Sequence, residues 1–273
     1  MPGTSRIIVV GGTGGIGAAV VAALTARGDD VLATGRDAAR LAALAATGAG
    51  AVPLDLRDPG AGEALAGVAA ARGWGSLDGL VLAAGGLGPI GPTRSVDPEG
   101  IGATFGEHVV GPLRIVQALA PLLDAAPSPS VVLFSGGGAT GAFPRYSAYA
   151  LAKVATVRLV ENLAAEEPAW RVNCVAPGFV ATGIHDATLA ADPAAVGPYY
   201  EETERRLRDA TPPEVAAGLV AFLLSDDARG VTGRLISAPW DPWADEQSRG
   251  VLRGTSDFGR LRRIDEQRYH DAG

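Results

Sequence analysis

The stretch RIIVVGGTGGIGAAVVAAL, Arg6 to Leu24, constrains what this chain can fold into more than any other. Its continuous β-branched run predicts a strand buried on both faces, and the Ala/Val-rich run after the glycines predicts a helix. Gly11, Gly15 and Gly17 form G-x-x-x-G-x-G at the join. Glycines there let the backbone turn sharply and approach an anion seated on the unpaired N–H groups of the helix start. The pyrophosphate of a dinucleotide is such an anion; the alternative is a strand-to-helix turn that holds no ligand. No G-K-[ST] element follows, which excludes an NTP-hydrolysing loop.

Six more short apolar runs recur at 30–34, 51–55, 79–83, 130–134, 171–176 and 234–238, separated by Ala/Leu-rich stretches of helical length. That alternation predicts a doubly wound α/β fold, a mostly parallel seven-stranded sheet with helices on both faces. At 273 residues the chain suits one such domain over 1–238, with a lid-like insertion at about 181–208 and a tail at 239–273 rich in Trp, Asp and Arg. A formal net charge of −7 speaks against nucleic acid or an anionic membrane as partner. The single cysteine, Cys174, excludes an intrachain disulfide, and the three histidines have no metal-ligand spacing. With no leader-like or spanning apolar stretch, a cytoplasmic protein acting on a small molecule is expected.

The second strand ends in LATGRD, where an NAD site usually carries a carboxylate for the ribose 2′-hydroxyl. Gly35 stands in that place and Arg36 follows. A guanidinium pairs with a 2′-phosphate, so NADPH is expected over NADH; alternatively Arg36 is a solvated arginine at a helix start that Asp37 caps. Asp55 either accepts from the adenine amino group or, like Asp58, caps a helix.

Lys153 is the only lysine in the chain; every other basic residue among the 23 is arginine. It lies four residues after Tyr149 on an expected helix, so the two side chains share a face. A free phenol has a pKa near 10, and a nearby ammonium lowers it. The ammonium also has donors to spare for ribose hydroxyls, which a planar guanidinium does not supply in the same geometry.

With the glycine loop, AAG at 83–85, Y-x-x-x-K and VNCVAPGFVAT, the chain from Arg6 to about Ser237 resembles the short-chain dehydrogenase/reductase family. The resemblance implies hydride transfer between a nicotinamide and an alcohol or carbonyl carbon. It makes Tyr149 the general acid or base, Lys153 the ribose ligand that tunes it, and Ser135 the hydrogen-bond partner of the substrate oxygen. The cofactor would touch Gly11, Thr13, Gly14, Gly15, Ile16 and Gly17, then Arg36, Asp55 and Leu56. Further on it would meet Ala84, Gly85, Pro177, Gly178, Val180 and Thr182. Members commonly assemble as homodimers or homotetramers through two long helices, here about 101–125 and 148–166.

Three departures mark this chain. The family serine, thirteen residues before the tyrosine, is Gly136, so Ser135 needs a one-residue adjustment of the glycine turn. LAAG replaces NNAG. His108 stands where an asparagine completes the proton relay, either passing protons with a titration near neutrality or simply packed between helices. Phe143, Arg145, Tyr146 and His185 are expected near the substrate, with Arg145 selecting a carboxylate or polar oxygen or else lying at the rim. Tyr199 and Tyr200 are either lid contacts or helix packing. The tail tryptophans fold over the site or meet a neighbouring subunit. An NADPH-dependent reductase of a small, polar ketone or aldehyde is the leading function. The alternatives are an NAD-dependent alcohol or sugar dehydrogenase and a non-redox or sensor protein.

Overall fold

The computed structural model describes residues 4–254 and 257–262. Strand β1 (Arg6–Val10) leads into helix α1 (Gly15–Arg27), β2 (Asp30–Gly35) into α2 (Ala38–Ala45), and β3 (Gly50–Pro53) into α3 (Ala61–Ala71). After β4 (Gly79–Leu82) come α4 (Pro98–Phe105) and α5 (Gly111–Asp124), and β5 (Ser130–Phe134) is followed by α6 (Ser147–Glu166). Beyond β6 (Arg171–Ala176) the insertion forms α7 (Asp186–Ala190), α8 (Pro193–Val196) and α9 (Tyr199–Arg206). The chain ends its description with α10 (Pro213–Leu223), β7 (Arg234–Ser237) and α11 (Glu246–Gly254).

All seven strands are parallel, in the order β3-β2-β1-β4-β5-β6-β7. This is the doubly wound fold the alternating pattern anticipates. The strand alternation splits each apolar run between two cores. Ile7 and Val9 pack with Val20 of α1 and Leu219 of α10, while Ile8 and Val10 pack with Leu65 of α3, Ile115 of α5 and Val157 of α6. Strand order reverses between β1 and β4, and the loops leaving these two strands diverge to opposite faces. A crevice opens there at the carboxyl ends of the strands.

The helix expected at about 101–125 is interrupted. α4 and α5 are joined by a π-helical segment, Gly106–Val110, whose wider turn carries His108 into the interior. α1 begins without a cap: Gly14 offers no side chain and the first turn holds no acid, so its N–H groups face the crevice loop unmet. α2 is capped by Asp37, which accepts from the Arg40 N–H at 2.9 Å. Among the described residues no helix is long and apolar enough to cross a membrane.

The tail separates its two tryptophans. Trp243 lies 6.3 Å from the Phe222 ring, its indole N–H donates to the Ala238 carbonyl at 2.7 Å, and Arg249 covers the same phenyl ring at 4.6 Å. Leu252 of α11 is fully buried in the core shared by α1 and α10. Trp240 remains 77% exposed. Residues 255–256 and 263–273 of the tail, His270 among them, lie outside the described residues. Trp243→Ala should therefore lower unfolding stability by about 2–3 kcal/mol through lost packing, and Trp240→Ala by less than about 0.5 kcal/mol, in urea titrations of the two variants.

Candidate active site

The crevice continues as one groove of about 1480 Å³ along the loops that follow β1, β2, β4, β5 and β6. Its floor is built by close backbone approach. Gly11 has φ +83, and a Cβ there would lie 2.7 Å from the Ala84 nitrogen. A Cβ on Gly17 would lie 2.1 Å from the Gly11 carbonyl oxygen, and one on Gly15 would lie 2.5 Å from Thr182 Cγ2. The first bond into α1 runs from Ala18 to the Gly14 carbonyl at 2.7 Å, so the N–H groups of Gly15, Ile16 and Gly17 precede any intrahelical acceptor. A bare cradle over an uncapped helix start fits a pyrophosphate.

At the end of β2, a Cβ on Gly35 would fall 2.2 Å from Thr13 Oγ1, so no carboxylate can stand in that position without displacing the loop. Arg36 is exposed at the groove instead. Two further arginines line this end that sequence reasoning missed. Arg40, in the first turn of α2, reaches the Thr13 carbonyl at 3.5 Å, and Arg57 holds both Asp55 oxygens at 3.0 and 2.5 Å. The available signal was that Arg40 opens the helix that follows Arg36. Hydrogen bonds from Arg57 pull the Asp55 carboxyl down to about 2. Leu56 is buried beneath it, and the Thr34 hydroxyl, 1% exposed, has no partner.

The chemical end lies on the first two turns of α6. Tyr149 and Lys153 are both buried, at 8% and 6% exposure. Lys153 Nζ donates to the Phe134 carbonyl at 2.9 Å and stands 5.2 Å from the centre of the Tyr149 ring. A Cβ on Gly136 would lie 2.5 Å from the Tyr149 hydroxyl oxygen, so the phenol occupies the space a side chain at 136 would take. The expected adjustment of the glycine turn does not occur. Ser135, one residue earlier, also lines the groove; 2% exposed, it donates to the Lys153 carbonyl at 3.3 Å. That bond braces α6 against β5.

Burial governs protonation here. It pushes Tyr149 up from 10.0, with Tyr199 and Cys174 adding to the effect, and brings Lys153 down to about 8. Desolvation of the phenolate is the largest cause at Tyr149, and the Lys153 ammonium sits over its ring. Of the two readings of His108, its burial matches the packed one. Its Nε2 donates to the Gly86 carbonyl at 2.7 Å, its ring meets Tyr149 edge-on at 5.7 Å, and Gly85, φ +144, leaves room for it. Burial and then the Lys153 charge hold it at about 3, so it is neutral at physiological pH and no relay titrates near 7 through it.

On the substrate side Phe143 lines the groove and makes an edge contact with Tyr149 at 6.4 Å. His185 lines it too, stacked on Phe179 at 4.1 Å with Nε2 donating to the Val180 carbonyl at 3.1 Å. Pro177, Gly178, Val180 and Thr182 follow β6 along the wall. Arg145 is corrected: its φ of 75 serves a tight turn whose carbonyl accepts from Gly91 at 2.8 Å, and its side chain lies beside Gly197 outside the groove. Tyr146 is fully buried and bonds Thr188 at 2.9 Å, and Tyr200 reaches the Leu189 carbonyl at 3.4 Å; only Tyr199 of the lid tyrosines faces the groove.

His108 makes a pH prediction. Its folded pKa of about 3 lies below the ordinary 6.5, so the unfolded chain takes up a proton that the folded chain refuses as pH falls between these values. Stability is full above 6.5 and is lost on acidification. From pH 7 to pH 4 the loss attributable to this residue should be on the order of 3 kcal/mol, absent in His108→Asn, when urea midpoints of the two proteins are compared across pH.

Comparison with known proteins follows the same geometry. A family model described as Enoyl-(Acyl carrier protein) reductase matches residues 11–238. Short chain dehydrogenase mpl6 of Monascus purpureus is 32% identical over 249 residues, covering 86% of this chain and 80% of that protein. A short chain dehydrogenase of Shigella flexneri, solved with NADP, superposes with a TM-score of 0.75 at 27% identity, covering 86% and 96% of the two chains. A levodione reductase superposes with a TM-score of 0.77 at 25% identity, covering 89% and 97%. A match that begins in the glycine loop and ends with the last strand, carried by a relative aligned over most of both chains, makes the chain a member of the short-chain dehydrogenase/reductase family of oxidoreductases.

Proposed function

We propose that the chain reduces a ketone or aldehyde at the expense of NADPH. One observation carries this reading: the Tyr149 hydroxyl, kept protonated by burial, stands beside bare Gly136 in a groove that continues to the arginine-lined end of β2. The bound reduced nicotinamide supplies a hydride to the carbonyl carbon. Tyr149 gives its phenolic proton to the carbonyl oxygen, completing the alcohol. The phenolate left behind is offset by Lys153, whose approach lowers the cost of that charge once the proton has gone. Lys153 spends one donor on Phe134, leaving two for ribose hydroxyls.

Arg36 and Arg40 would hold the 2′-phosphate. Support comes from Gly35, which admits no competing carboxylate, and from the NADP and NADPH present in the Shigella flexneri and Escherichia coli relatives. The uncapped start of α1 takes the pyrophosphate.

In fluorescence titrations at fixed salt, NADPH should bind more tightly than NADH, and Arg36→Ala should weaken NADPH by about tenfold or more while barely changing NADH. Equal losses would remove Arg36 from phosphate recognition. Tyr149→Phe should lower kcat about a thousandfold with cofactor affinity retained. Carbonyl and activated-alkene substrates offered together separate alcohol from saturated products, and products of the second kind would overturn carbonyl reduction.

A further inference from the structure

Resting on that reading, we infer that the carbonyl substrate is an uncharged aromatic ketone or aldehyde rather than a small polar metabolite. Tyr149 emerges from a single apolar cluster that includes Leu87, Phe143, Ile184 and Tyr199. Each of these also lines the groove. Phe143 meets Tyr199 edge to face at 4.8 Å and 82°, so the wall beside the reacting hydroxyl presents ring edges and faces in the arrangement that favours another inserted ring. Beside it, the glycine turn at 136–138 is bare backbone packed against Phe143. Such a wall gives nothing to the hydroxyls of a small polyol and excludes their water.

Charge points the same way. Beyond Lys153 and the arginines at the β2 and β3 ends, the one cation lining the groove among the described residues is Arg206. It is already held by Glu202 at 2.5 Å and lies over the Phe179 ring at 5.7 Å. His185 is pushed down by burial and brings no charge. Arg145 lies outside. The carboxylates on this side, Glu107, which accepts from the Gly86 N–H at 3.4 Å, Asp241, which accepts from the Ser237 N–H at 2.6 Å, and exposed Asp186, add negative charge that a substrate anion would meet. A substrate carboxylate or phosphate would enter without a free partner and lose its hydration. At the mouth, exposed Trp240 supplies a further ring face.

The test compares 1-tetralone, its carboxylate-bearing counterpart and dihydroxyacetone, by calorimetry on the protein alone and with NADP⁺, and by turnover with NADPH. The neutral tetralone should bind at least about tenfold more tightly than either other compound and show the largest kcat/KM. Tyr199→Ser and Trp240→Ala should each raise its KM by about threefold to tenfold while leaving the NADPH Kd unchanged. Tetralone binding no tighter than dihydroxyacetone, tighter binding of the carboxylate, or an unchanged KM in both variants overturns the inference. Tetralone that binds as expected but is not reduced supports the pocket assignment and overturns the reductase reading instead.

Discussion

Everything in this molecule is arranged around one close approach of backbones at the head of β1. Gly11, Gly17 and the chain at Ala84 are so near that a single methyl group at either glycine would collide with main-chain atoms. That contact brings α1 down onto the loop, aims its unmet N–H groups into the crevice and lets β1 and β4 stand side by side where their helices diverge. Thr182, pressed over Gly15, extends the same contact to the loop beyond β6 and thereby ties the insertion to the cofactor floor. The groove exists because side chains are missing along it.

At the other end of the groove the controlling term is desolvation. Tyr149, Lys153 and His108 are each held in their neutral direction by burial, and each has a short-range partner that fixes its place. A phenol that resists ionisation suits proton donation, and a lysine that is only weakly held in its charged form responds strongly to a new negative charge beside it. An arginine at 153 would bring five donors into a pocket that offers the Phe134 carbonyl as an acceptor, and it could not give up its charge. That is a physical reason for the lone lysine in a chain otherwise supplied with arginine.

Much of this was legible in residue order. The seven apolar runs coincide with the seven strands to within a residue or two, because each is short, β-branched and bounded by glycine or polar residues. The glycine spacing and the Y-x-x-x-K pair are local patterns whose geometry follows from a loop and a helical turn. Arg36 could be read for the same reason, whereas Arg57 reaches the groove only because β3 lies beside β2. The bond from Ser135 to the Lys153 carbonyl could not be read, because its acceptor comes from a helix beyond the glycine turn. Arg145 misled because its backbone conformation, invisible in composition, turns it away.

The amino-acid sequence by itself determined the doubly wound fold, the cradle and the identity of the tyrosine–lysine pair, since these depend on periodicities of two and 3.6 residues and on glycine at fixed offsets. Only the tertiary structure decided that the Tyr149 hydroxyl lies against Gly136, that burial holds His108 toward its neutral form inside a π-helical turn, and that aromatic rings stand around Tyr149. Those properties depend on burial and on neighbours brought from distant parts of the chain, such as Phe143 and Tyr199. The strength of a charge or a hydrogen bond is set by the medium that packing creates around it.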